Sequence, residues 1–218
     1  MVEHKNIIIS AIVGLVLIGG ALYFSGYFAE KEQGVSEQPA DQLASIQEAS
    51  TQELKDSVLG NPDAPITIVE YFSYVCGHCR AFHQNTMPLI KEKYISAGKV
   101  KFIVRQAFGP AELPGAALCA GEQGRFWEYH EYLFDHLQDL RSADDLKTFA
   151  GNLNLDQEKF NQCFDSQEYK EQVEEWSQLA IGAGVDGVPT FFINDQQIVG
   201  AQPFEEFERV IEEILKQE

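Results

Sequence analysis

Ile66-Thr67-Ile68-Val69-Glu70-Tyr71-Phe72-Ser73-Tyr74-Val75-Cys76-Gly77-His78-Cys79 joins a β-branched and aromatic run to two cysteines separated by two residues. Turn-forming residues, Gly60-Asn61-Pro62-Asp63-Ala64-Pro65, precede the run, so Ile66 to Phe72 reads as a strand. Its nearly continuous apolar character suits a central parallel strand covered on both faces. The cysteines open a helical stretch that runs to about Ala97. Pro88 should kink that helix, because it lacks an N–H and its ring clashes with the preceding turn. Gly98 stops the helix, and Val100 to Phe108 supplies a second strand. The pattern is βαβ.

Beyond it the chain is helical over about residues 111–182. Gly124 divides an Ala-rich segment, Pro114 to Gln123, from Phe126 to Leu137, where Phe126, Trp127, His130, Leu133, Phe134 and Leu137 recur at helical spacing. Ser142-Ala143-Asp144-Asp145 resembles a capping box ahead of Leu146 and Phe149. Asp156 to Phe164 and Tyr169 to Ala180 complete the block. Strand chemistry returns at Thr190 to Ile193, turns at Asn194-Asp195 and resumes at Gln197 to Val199. A last amphipathic helix carries Phe204, Phe207, Val210, Ile211 and Ile214. His83, His130 and His136 read as ordinary, His130 on an apolar helix face as a satisfied core or boundary histidine, and Trp127 and Trp176 as core.

Upstream, no charged residue occurs from Ile7 to Phe28. A helix of that length reaches about 33 Å, enough to cross a hydrocarbon layer of about 30 Å. The exit, Ser25-Gly26-Tyr27-Phe28-Ala29, lacks a clean small-x-small cleavage site, which favours an uncleaved membrane anchor over a cleaved signal sequence. The flanking charges lean only slightly toward a cytoplasmic N-terminus. Residues 1–28 are thus head and anchor, and 29–57 a polar tether with a weak helical pattern from Asp41 to Asp56. Residues 58–218 form the folded domain.

A Cys-x-x-Cys pair beside a βαβ unit reads as a redox pair. A thiolate on Cys76, at a helix start, meets free N–H groups and the positive end of the helix dipole, and His78 adds a donor or a positive charge. Favouring the thiolate favours the reduced form, which makes the Cys76–Cys79 disulfide an oxidant. Cys76 exchanges with substrate sulfur and Cys79 resolves the mixed disulfide. Two other readings stay open on these residues: zinc held by Cys76, Cys79, His78 and His83, though no second ligand pair follows, and an inert disulfide. Covalent haem needs a histidine where Arg80 stands. Glu70 is a carboxylate inside an otherwise apolar strand. Buried, its neutral form is favoured and it can exchange a proton with Cys79; at the strand end, it reaches water.

The segments Ile66–Cys79, Cys119–Phe134 and Gly187–Phe207 together resemble the DsbA-like thiol-disulfide oxidoreductases of the thioredoxin superfamily, over about residues 56–217. The Cys-Gly-His-Cys tetrad is also similar to that of eukaryotic protein disulfide isomerases. The resemblance implies an α/β thioredoxin-like fold with an inserted helical domain, here preceded by one N-terminal transmembrane helix. It implies that Pro189 is cis, with the backbone of Val188 facing the cysteines and binding substrate main chain. Val before this proline is similar to the oxidases of the family, whereas Thr is commoner in isomerases and reductases. An acid in the place of Glu70 is also a family feature. Cys119 and Cys163, each on an apolar helix face, resemble a second pair that forms a structural disulfide in extracytoplasmic relatives; two free core cysteines are the alternative.

Acidic residues number 34 against 16 basic, a net charge of −18, and all of the excess lies outside the apolar N-terminal run. Such a surface lacks the basic patch that nucleic acid requires. The function expected is a dithiol oxidase on the outer side of the membrane. It passes the Cys76–Cys79 disulfide to unfolded, reduced exported polypeptides and is recharged by a redox partner, with no metal or cofactor. The alternatives are a reductase or isomerase of the same fold, or a redox-inactive chaperone or binding module.

Overall fold

The structure, a computed structural model, describes residues 56–217. The anchor and nearly all of the tether expected from the sequence lie outside the described residues. Among the described residues no helix is long and apolar enough to cross a membrane.

Five strands form one sheet in the order β1-β3-β2-β4-β5. They are β1 (Val58–Leu59), β2 (Ile66–Phe72), β3 (Val100–Gln106), β4 (Thr190–Ile193) and β5 (Gln196–Val199). The central strand β2 runs parallel to β3, with Ile66 opposite Val100 and Phe72 opposite Gln106. Parallel neighbours need a crossover, and here it is helical: α1 (Gly77–Asn85), α2 (Met87–Ile90) and a π-helical turn, Lys91–Ile95. The break at Thr86 falls two residues before Pro88, which takes a place in the first turn of α2, where its missing N–H costs nothing. The proline thus divides the expected helix in two. Gly98, at φ +69°, turns the chain into β3, which stops at Gln106, two residues short of expectation. The two-residue strand β1 pairs antiparallel with β3. Beside it Asp56 accepts two hydrogen bonds from the Arg105 guanidinium, which fastens the start of the described chain to β3.

Side chains alternate across β2. Ile66, Ile68 and Phe72 enter the main core with Phe82 of α1, Phe191 of β4 and Phe207 of the last helix, α8 (Phe204–Leu215). On the opposite face Tyr71 packs with Ala107, Ala180 and Val185. The helices between β3 and β4 are α3 (Glu112–Gly121), α4 (Phe126–His136), α5 (Ala143–Asn152), α6 (Gln157–Ser166) and α7 (Lys170–Gly182). Ala116 and Ala120 of α3 are fully buried, small enough for neighbouring helices to approach closely. Asp145 accepts from the N–H of Ser142 at 2.7 Å and Asp156 from those of Glu158 and Lys159, so the first turns of α5 and α6 are capped. Cys119 and Cys163 form a disulfide joining α3 to α6 across 44 residues, with Cα atoms 5.8 Å apart. Trp176 is buried in the main core, as read from its spacing, and His136 stacks on Tyr132 at 3.8 Å.

Two outcomes follow for stability. Replacing Cys119 and Cys163 together by alanine frees a long loop in the unfolded chain and is expected to cost about 2–4 kcal/mol, read by urea unfolding. Gly60 sits at φ +101°, and a Cβ there would stand 2.8 Å from Ile95 Cγ2 and 2.9 Å from the Val100 carbonyl. Gly60→Ala should therefore lower stability by about 1–3 kcal/mol in the same measurement.

Candidate active site

Pairing of β2 with β4 brings the two halves of the site together. Because the strands are antiparallel, with Tyr71 opposite Thr190, the end of β2 lies beside the start of β4. The loop leaving β2 therefore meets the loop entering β4. In the first, the N–H of Cys76 donates to the Ser73 carbonyl at 3.1 Å, and Cys76 takes the N-cap of α1 with extended backbone. First-turn N–H groups at such a position have no helical partner. In the second, the Val188–Pro189 peptide is cis. Thr190 Oγ1 donates to the Gly187 carbonyl and the N–H of Gly200 donates to that of Pro189, each at 2.8 Å, holding this loop from both sides. Cys76 Sγ lies 3.5 Å from the carbonyl oxygen of Val188.

The two cysteines, free thiols here, differ in access. Cys76 is partly exposed, whereas Cys79, nearly one turn into α1, is fully buried. His78 between them projects into solvent. Val75 and Phe108 are exposed apolar side chains on the loops that leave β2 and β3. These parallel strands end on the same side of the sheet, so both residues border the cysteine end.

Beneath Cys79 lies a layer built from Glu70, His83 and His130. Glu70 is wholly buried and does not reach water. Its Oε2 is hydrogen-bonded to His83 Nε2 at 2.8 Å, and its Oε1 has no partner among the described residues. His83, read as ordinary from sequence, is thus part of the site. It follows Cys79 by four residues, which places both on one side of α1, and that spacing was the available signal. His130 is expected from its spacing to be a satisfied core or boundary histidine. It is buried and bonded through Nδ1 to the Tyr74 hydroxyl at 2.7 Å, but its Nε2 is unpartnered among the described residues. The rings of His83 and His130 lie 4.8 Å apart, with Phe72 and Phe134 against both.

Burial, and next the Glu70 carboxylate, push the Cys79 thiol well above its ordinary range. Burial likewise raises the Tyr74 hydroxyl, with Tyr129 and Glu70 adding to it. His130 is held well below the usual imidazole range, mainly by burial and then by His83, so it is neutral near pH 7. Chemically, the site offers one accessible sulfur, one protonated sulfur behind it, and a buried carboxylate linked to an imidazole. The four residues considered for zinc do not converge, since His83 turns to Glu70 and His78 to solvent. Glu122, Cys163 and Glu168 do lie close together, but the sulfur of Cys163 is held in the disulfide.

Residues 52–213 match a family model described as thioredoxin. Disulfide bond formation protein D of Bacillus subtilis is 31% identical over 170 residues, which cover 73% of this chain and 77% of that protein. A putative protein-disulfide oxidoreductase of Rickettsia typhi is 30% identical over 150 residues, and the chain spans 56% of its length. Among solved structures, α-DsbA1 of Wolbachia pipientis is 30% identical with a TM-score of 0.67, over 75% of this chain and 95% of that one.

The neutral state of His130 fixes one pH dependence. Its folded value is depressed while the unfolded value stays near 6.5, so below about pH 6.5 the unfolded chain binds a proton that the folded chain refuses. Stability is then lost as pH falls. Wild type should lose more stability between pH 7 and pH 5 than His130→Gln does, by the order of 1 kcal/mol, measured by urea unfolding at both values.

Proposed function

The chain belongs to the DsbA-like thiol-disulfide oxidoreductases of the thioredoxin superfamily, and from that membership we propose that it is a dithiol oxidase acting on exported polypeptides outside the cytoplasmic membrane. The observation that carries the reading is the placement of Cys76 Sγ against the Val188 carbonyl, with Cys79 buried behind it. In the oxidised protein a substrate thiolate attacks Cys76 Sγ. The Cys76–Cys79 bond breaks, a substrate–Cys76 disulfide forms, and Cys79 leaves as a thiolate that takes up a proton. A second substrate thiolate then attacks the substrate sulfur of that bond. The substrate departs with a disulfide, and Cys76 leaves with the electron pair. Two electrons have passed from substrate to the cysteine pair, and a disulfide-bearing redox partner takes them off by the reverse sequence.

The geometry supports attack at Cys76 and not at Cys79. Only the first sulfur is partly exposed, and the unpartnered N–H groups of α1 offer donors to charge developing there. The Val188 carbonyl beside it is an acceptor for the main chain of an extended substrate, so recognition can be independent of sequence. Val75 and Phe108 give apolar chains a surface near the same sulfur. Val188 before the cis proline, and His78 between the cysteines, support the oxidase over a reductase or isomerase. The charge-free run from Ile7 to Phe28 supports a single anchoring helix, with the domain on the outer side.

Equilibration of the purified protein with glutathione tests the direction. An oxidase requires a potential well above about −270 mV, and a value near that figure identifies a reductase instead. Cys76→Ser should abolish oxidation of a reduced peptide. Cys79→Ser should accumulate mixed disulfides with exported proteins, and retention of full activity by Cys76→Ser would leave only a binding module.

A further inference from the structure

We propose that His83 is the proton port of this site, carrying protons between the buried Glu70 carboxylate and a groove between α1 and α4. This inference rests on the thiol-exchange reading above and deepens it, because that chemistry requires Cys79 to gain a proton in one direction and lose it in the other. The sulfur is buried, and so is the carboxylate whose charge it feels. A proton passed to Glu70 therefore needs a way out. The carboxylate's one side-chain hydrogen bond among the described residues runs from Oε2 to His83 Nε2, 2.8 Å away, while Oε1 is unpartnered. The His83 side chain is 6% exposed against 0% for Glu70, and it lines a groove of about 380 Å³. Lys91, Glu131 and Asp135 stand along that groove, with Trp127 and Phe134 as its apolar walls. An imidazole spanning a buried acid and water can take a proton on one nitrogen and release one from the other.

The groups packed around His83 fit this role. Glu70 faces it from β2, His130, itself bonded to Tyr74, packs against its ring, and Glu131, Asp135 and Lys91 border the groove. The neutral ring of His130, 4.8 Å away, adds no second positive charge. During recharging, Cys76 attacks the partner disulfide and the partner's first thiolate leaves. Cys79 then gives its proton to Glu70, and its sulfur attacks Cys76 Sγ as the partner's second thiolate departs. Glu70 returns to the carboxylate when its proton passes through His83 to the groove. In substrate oxidation the same route runs inward and delivers the proton that Cys79 takes up. His83 acts through Glu70 and touches no sulfur, so it is a positioning and proton-conducting residue.

The test is His83→Gln in the full chain, since glutamine keeps a donor for Glu70 but cannot relay a proton. Stopped-flow exchange with a reduced two-cysteine peptide and with oxidised glutathione, from pH 5 to 9, separates the steps. The Cys79-dependent step should slow by roughly 100-fold near pH 7, lose its pH inflection, and recover as imidazole is added to the buffer. In a Cys79→Ser background the attack of Cys76 on oxidised glutathione, with glutathione thiolate as leaving group, should be unaffected by the His83 substitution. A wild-type pH profile in His83→Gln would overturn the port while leaving the enzyme reading intact; a wild-type protein inert toward the peptide would overturn both. Should the variant fail to fold, ¹⁵N spectra of the His83 ring in wild type decide. Its titration is expected to differ between the disulfide and dithiol forms, and identical titration would overturn the proposal.

Discussion

β2 takes a parallel partner on one side and an antiparallel partner on the other. The parallel pairing forces the crossover through α1, so the cysteines must open a helix directly after the strand. The antiparallel pairing brings the start of β4, and with it Val188 and Pro189, to the same end of the sheet. Two loops more than 100 residues apart in sequence thereby meet within 3.5 Å, between Cys76 Sγ and the Val188 carbonyl. The helical block is inserted between β3 and β4 and does not disturb this meeting. Its α4 supplies His130 and Phe134, which close the layer beneath the cysteines.

That layer works against the stability of the core around it. A carboxylate and two imidazoles, with two polar atoms unpartnered among the described residues, occupy space that hydrocarbon would fill at lower cost. The surrounding aromatic cluster, in which Phe82 meets Phe191 at 4.4 Å and Phe207 at 5.3 Å, offsets this cost. It also excludes water from Cys79 and Glu70, which is what ties the protonation of one to the charge of the other. Packing and proton chemistry are therefore two aspects of one arrangement.

Much of this was legible in the residues. The apolar run Ile66–Phe72, the Cys-x-x-Cys that follows and the turn signals at Gly60–Pro65 specify a strand feeding a helix by local chemistry alone. Ser142 with Asp145, and Asp156, mark helix starts for the same reason. What was not legible depends on contacts distant in sequence. β1 is two residues long and exists because β3 offers it an edge. His83 looks like any helical histidine until Glu70, from another element, is placed opposite it. His130 lies on an apolar face, as its spacing indicates, but nothing local shows that Tyr74 satisfies one of its nitrogens and that the other has no partner among the described residues. Periodicity reports which face a residue occupies and says nothing about which polar group stands across from it.

The bond between Cys119 and Cys163 bears on how the molecule comes into being. Both sulfurs are nearly inaccessible once α3 and α6 have packed, at 2% and 3% exposure. Before packing, all four cysteines belong to one open chain that admits three pairings, and only one leaves Cys76 and Cys79 to each other. The nascent chain is then itself a polypeptide whose thiols are open to exchange. Folding ends this ambiguity by enclosing Cys119 and Cys163 and leaving Cys76 as the accessible sulfur of the other pair, so maturation is the step that restricts exchange to one site.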